Sequence, residues 1–208
     1  MSARHFFAAA FFGSALVLTG CGKKDDSPIE ILSPPASSAP ATLSKYWSLP
    51  DFSLTERSGQ TVRLVDFAGK VWVADFFYTT CPGPCPMLSS RLSGVQKSLG
   101  NEPGVRLVSI SVDPDKDTPE VLKTYAEKFK AGERWLFLTG QRDAIYSLAR
   151  DGFKLPIAEA PAAGGLITHS TRLMLVDKTG FLRGFYEGAD EAGVENLVRD
   201  IKRLLEEK

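Results

Sequence analysis

Residues 70–88 read KVWVADFFYTTCPGPCPML. The first nine form a nearly continuous β-prone run, the pattern of a strand buried on both faces. The rest place Cys81 and Cys85 four apart, with Pro82, Pro84 and Pro86 around them. A residue before proline is pushed toward extended backbone, so Cys81, Gly83 and Cys85 are biased away from helix. A helix is therefore expected from Pro86, with Cys85 as N-cap and apolar positions at Leu88, Leu92, Val95 and Leu99. Its dipole would point its positive end at both thiols and lower them below the usual value of about 8.5. Proline also fixes φ, so the two sulfurs sit at a preset separation.

The surrounding pattern is α/β. Short strands are expected at residues 52–54 and 62–64, turned by Ser58-Gly59, which gives an N-terminal β-hairpin. Another strand follows at Val105 to Val112. Thr118 and Pro119 read as N-cap and first position of a helix to about Lys130. A strand at 135–138, a helix near 143–149 and a loop over 155–166 come next. The segments Thr171 to Asp177 and Phe181 to Tyr186 make a late hairpin around Lys178-Thr179-Gly180, and a helix over 191–206 closes the chain. Strands alternating with helices and ending in a hairpin predict an α/β sandwich with a mixed sheet.

Charge and the two ends narrow the classes of function. The 208 residues hold 25 basic and 25 acidic side chains, with no electrostatic footprint for nucleic acid. Residues 1–20 give a basic start at Arg4 and an apolar run from Phe6 to Leu18, too short for a span and suited to a secretory leader. The run ends in Leu18-Thr19-Gly20-Cys21, which looks like a bacterial lipobox and implies a diacylated Cys21. Residues 21–45, rich in Ser, Pro and Ala, read as a tether, and 46–208 as the folded domain. Removal of the leader takes His5 with it, so His169 is the last histidine. The chemistry then rests on Cys81, Cys85 and His169.

A disulfide needs sulfurs about 2.05 Å apart, and a metal shared by two thiolates needs roughly 4 Å or more. The three-residue spacer serves either, so redox, metal and inert structural readings all stay open on spacing alone. Two thiolates with one imidazole form a soft donor set suited to copper, Cu(I) above all. Asp75, six residues before Cys81 in an apolar strand, is a candidate proton acceptor for a nearby thiol. Asp113 reads as a turn-former before Pro114. Met87 reads as a core methionine rather than a thioether ligand, and Lys202, Arg203, Glu206 and Glu207 as a solvated helix face.

Three stretches together carry a family resemblance: FFYTTCPGPCP, SVDPDKDTPE (111–120) and THSTRLMLVD (168–177). In that order they resemble the Sco (SenC) family of membrane-tethered copper chaperones for cytochrome c oxidase assembly, over about residues 46–208. The resemblance implies a thioredoxin-like three-layer sandwich with a mixed central sheet and an N-terminal β-hairpin. It implies Cys81, Cys85 and His169 as ligands of one copper, Cu(I) or Cu(II), per domain. It also implies a partner in the binuclear copper centre of oxidase subunit II or another periplasmic copper protein. The protein would be lipid-anchored in the bacterial envelope, its domain in the periplasm. Thr168 stands where many members carry an acid before the histidine. A peroxiredoxin reading fails, since Ala74 and Tyr78 occupy the positions of that family's Pro and Thr. Two further functions stay in view: a thiol–disulfide oxidoreductase acting on a partner's copper-site cysteines, and an interaction module with a structural disulfide.

Overall fold

A computed structural model describes residues 42–156, 158–160, 166–168 and 170–207. The N-terminal hairpin forms as β1 (Ser53–Glu56) and β2 (Thr61–Arg63), with Gly59 at φ +85° in its turn. The central run becomes β3 (Val71–Phe77), buried along its whole length. It pairs in parallel with β4 (Val105–Ser111), which pairs in parallel with β5 (Trp135–Thr139). Helix α1 (Pro84–Ser98) makes the first crossover and α2 (Pro119–Lys128) the second. Both steps run in one direction along the sheet, and right-handed connection puts both helices on the same face. Thr118 caps α2 by accepting from the Val121 N–H at 3.4 Å, with Pro119 first in the helix, as the sequence predicts.

Helix α3 (Arg142–Ser147) runs into a wider π-helical turn, Leu148–Gly152. The stretch expected to be a loop over 155–166 carries a small antiparallel pair instead, β6 (Ala158–Ala160) with β7 (Leu166–Thr168). The Ala-Glu-Ala of β6 lacks the β-branched pattern that marks strands, and the three residues of Leu166-Ile167-Thr168 are too few to mark one alone. The late hairpin forms as β8 (Arg172–Val176) and β9 (Leu182–Glu187), turned at Gly180 (φ +81°). Helix α4 (Glu191–Glu206) closes the domain beside α1. The seven-stranded mixed sheet runs β2-β1-β5-β4-β3-β8-β9, with β8 antiparallel to β3. This is the thioredoxin-like α/β sandwich that the sequence implies.

The two faces of β3 follow the period of two. Trp72 and Phe76 point to one layer, where Phe153 meets both rings edge-on at 6.0 and 5.4 Å. Phe77 points to the other, against Tyr125 of α2 at 5.1 Å. Asp75 shares the Phe77 face and so lies under α1 and α2. At the far end of the sheet, buried Arg183 donates to the Leu43 and Ser44 carbonyls, Asp177 and both oxygens of Glu207. Glu207, expected on a solvated face, is thus drawn into a part-buried ion pair, because β9 delivers a guanidinium beside the end of α4.

Phe153→Ala removes the ring shared by Trp72 and Phe76 and is expected to cost about 3–5 kcal/mol. Urea unfolding should show the loss as a lower midpoint at unchanged slope.

Candidate functional site

The site lies at the pole where β3 ends. Beyond Phe77 the chain makes one tight turn, closed by the Cys81 N–H donating to the Tyr78 carbonyl at 3.3 Å. Helix α1 then starts at Pro84 with Gly83 as N-cap, two residues earlier than the sequence suggests. The first N–H groups of a helix have no internal partner, so Pro84 and Pro86 sacrifice nothing in the first turn. That requirement outweighs the pre-proline bias at Cys85. Cys85 therefore sits inside the first turn on the inward face, ahead of Leu88, Ser89 and Leu92. Met87, expected in the core, is turned outward and is 38% exposed.

Both cysteines are thiols rather than a disulfide, and both are buried. Their acidities differ, contrary to the joint lowering expected from the helix dipole. Burial works to raise the Cys81 thiol. Hydrogen bonds from the Cys85 side chain, the Cys85 and Gly83 N–H groups and the Tyr78 hydroxyl outweigh it, and hold Cys81 below the ordinary thiol range. Cys85 is pushed far up, first by deeper burial and then by Cys81 and the charge of Asp75. The pair is one thiolate-prone sulfur above one sulfur that holds its proton.

Asp75 is 1% exposed. Its Oδ1 accepts from the Ser109 hydroxyl at 2.6 Å, and Ser109 Oγ accepts from Trp135 Nε1 at 2.9 Å. An indole nitrogen only donates, so the Ser109 proton is committed to Asp75. Oδ2 has no hydrogen-bond partner among the described residues. Burial raises the Asp75 carboxyl to about 7, against the pull of Ser109 and a backbone hydrogen bond.

Sequence reasoning passed over Asp117. It is fully buried, and it accepts from the Thr79 N–H at 3.0 Å, the Thr79 hydroxyl and the Ser111 hydroxyl at 2.5 Å. Its position in SVDPDKDTPE was visible, but nothing in that stretch signals a partner 38 residues upstream. Asp113 is the turn-former expected, its carbonyl accepting from the Lys116 and Asp117 N–H groups. His169 and Cys21 lie outside the described residues. Among the described residues no three His, Cys, Asp or Glu side chains converge as a metal-holding group, and no helix is long and apolar enough to cross a membrane.

The SCO1/SenC family model matches residues 41–206, nearly the whole described domain. The chain belongs to the SCO1/SenC family. A SCO1/SenC family lipoprotein from Bacillus anthracis superposes with TM-score 0.71 at 35% identity, over 76% of this chain and 95% of that one. BsSco, a member of the Sco family of cytochrome c oxidase assembly proteins with a disulfide switch, gives 0.70 at 30% identity over 80% and 98%. Bradyrhizobium japonicum ScoI with copper bound gives 0.67 at 26% identity over 76% and 100%. In this SCO1/SenC domain the matched length contains the buried thiols, Asp75, Asp117 and the turn that precedes Cys81.

Asp75 carries a stability signature with a definite sign. The unfolded carboxyl releases its proton near the ordinary 3.8, whereas the folded one holds it to about 7. Between those values the folded state binds more protons, so stability falls as pH rises, by at most about 1.4 kcal/mol per unit. Asp75→Asn is expected to remove that slope and to be more stable than the unsubstituted protein at pH 8. Urea unfolding from pH 4 to 8 checks it, and parallel curves for the two proteins would refute the assignment.

Proposed function

We propose that this protein is a membrane-tethered periplasmic copper metallochaperone. Its cargo is one copper ion per domain, held by Cys81, Cys85 and His169 and delivered to the binuclear copper centre of cytochrome c oxidase subunit II. The observation that carries this reading is the hydrogen-bonded pair of buried thiols, one of them already acidified. Soft sulfur donors in a dry site favour Cu(I), and imidazole is compatible with either copper oxidation state. Strand β8 starts three residues after His169, and its antiparallel pairing with β3 runs its first residue toward the pole of the thiols. The copper-bound ScoI relative and the oxidase-assembly role of BsSco support the same cargo and partner.

Binding requires both sulfurs to lose their protons. Cys81 yields its own readily. Cys85 needs an acceptor, and Asp75 is that acceptor in this proposal, its Oδ2 being free of partners among the described residues. Transfer follows by exchange of Cys81 and Cys85 for the thiolates of the recipient. The leader over 1–20 directs export and is removed; the lipidated Cys21 and the tether over 21–45 then hold the 46–208 domain at the membrane of the bacterial envelope. The lipoprotein from Bacillus anthracis supports that placement.

The unequal thiols favour a second activity, reduction of a partner's disulfide. The Cys81 thiolate attacks one sulfur of the partner, and the mixed disulfide forms as the other sulfur leaves and takes a proton. Cys85, losing its proton, attacks Cys81 and frees the partner's second thiol. The partner gains two electrons and two protons, and the pair becomes the Cys81–Cys85 disulfide. Copper loading needs reduced cysteines on both proteins, so the two activities are compatible.

Copper titration of the reduced protein is expected to give one equivalent bound. Cys81→Ser, Cys85→Ser and His169→Ala should each weaken binding at least roughly tenfold, about 1.4 kcal/mol. Unchanged affinity in all three would overturn the metallochaperone reading. His169→Ala should leave disulfide reduction intact, which separates the two activities.

A further inference from the structure

We infer that Asp117 is a positioning residue for Cys81, its carboxylate gripping the turn from which that thiol is presented to Cys85. The inference rests on the reading of Cys81 and Cys85 as the working pair. Residues 78–81 form a single turn, Tyr78 C=O to Cys81 N–H, with Thr79 at its first central position. Asp117 holds that central residue by two separate donors, the Thr79 N–H on Oδ2 and the Thr79 hydroxyl on Oδ1. A residue held at both its backbone and its side chain cannot rotate about φ or χ1 without breaking a charge-assisted bond.

The grip is itself braced. Ser111 gives its hydroxyl proton to Asp117 Oδ2 and accepts the Asp113 N–H at 3.1 Å, so its rotor is fixed from both sides. The Asp117 N–H donates to the Asp113 carbonyl at 2.9 Å, and the next residue caps α2. The Val112 N–H donates to the Phe77 carbonyl at 2.8 Å, tying the end of β3 to the same strand end. Asp117 is completely buried, and a carboxylate in that position is costly unless both oxygens receive donors. Two of its three donors come from Thr79. Satisfying the carboxylate and holding the thiol turn are therefore the same act.

The consequence is preorganisation of the reduced pair. With Thr79 fixed, forming the Cys81–Cys85 bond orders little that is not ordered already. Freed, the turn gains conformers that bond formation must remove. The dithiol–disulfide equilibrium of the full chain against reduced and oxidised glutathione, read by alkylation and mass, measures this without copper. Asp117→Ala is expected to shift the equilibrium constant toward the dithiol severalfold, and Thr79→Val in the same direction by less. Asp117→Asn should stay near the parent value, since its amide oxygen accepts two of the donors and its NH2 donates to the Thr79 hydroxyl.

An Asp117→Ala protein with lowered thermal stability but an unchanged constant overturns the inference, leaving a purely structural carboxylate. So does Asp117→Asn shifting as far as Asp117→Ala, because charge rather than grip would then set the equilibrium. If Asp117→Ala does not fold, an unchanged constant in Thr79→Val overturns it. A Cys81–Cys85 disulfide that never forms with glutathione overturns it as well. Failure of the parent protein to bind copper, with these shifts intact, would sink the copper reading alone.

Discussion

The first turn of α1 governs the site. Two prolines flank Cys85, and a helix admits proline only where its N–H would lack a partner, within the first turn. The helix consequently begins inside the Cys81–Cys85 spacing. Cys85 then falls on the inward face and is sealed from water, while Cys81 remains on the turn above it. The difference in acidity follows from this placement, since one sulfur is deep in the core and the other receives N–H groups from the helix start. A helix beginning at Pro86 would have left both thiols at its mouth in similar surroundings.

Beneath and beside the thiols stand two buried carboxylates that the fold treats in opposite ways. Both take their hydroxyl partners from β4, where Ser109 and Ser111 point to the same face by the period of two. Asp117 has three donors spread over both oxygens, which suits a group whose task is to hold. Asp75 has one side-chain donor, Ser109 on Oδ1, and no partner on Oδ2 among the described residues, and burial keeps its carboxyl protonated to about 7. Type and burial are the same; the number of donors within reach differs.

The chain enters the domain at the other end of the sheet. Arg183 gathers the Leu43 and Ser44 carbonyls with Asp177 and Glu207 close to the Val176–Leu182 pairing. Val176 pairs with Trp72 near the start of β3, whereas the thiol turn follows its last residue. The length of the central strand thus separates the point of entry from the thiols.

Much of this was legible in the residues themselves. Continuous apolar β-prone runs can only be strands buried on both faces, and proline, glycine and threonine at element ends mark where they stop; from these the mixed sheet, its hairpins and the α2 cap could be read. The cysteine pair and Asp75 were legible because thiols and carboxylates in apolar surroundings are rare. What tertiary structure alone decided was the asymmetry of the two thiols, the outward turn of Met87, the ion pair of Glu207 with Arg183 and the grip of Asp117 on Thr79. Periodicity describes a chain against its nearest neighbours, whereas desolvation and hydrogen bonding depend on which distant groups the crossovers bring within about 3 Å. That distance belongs to the folded packing and not to the order of residues.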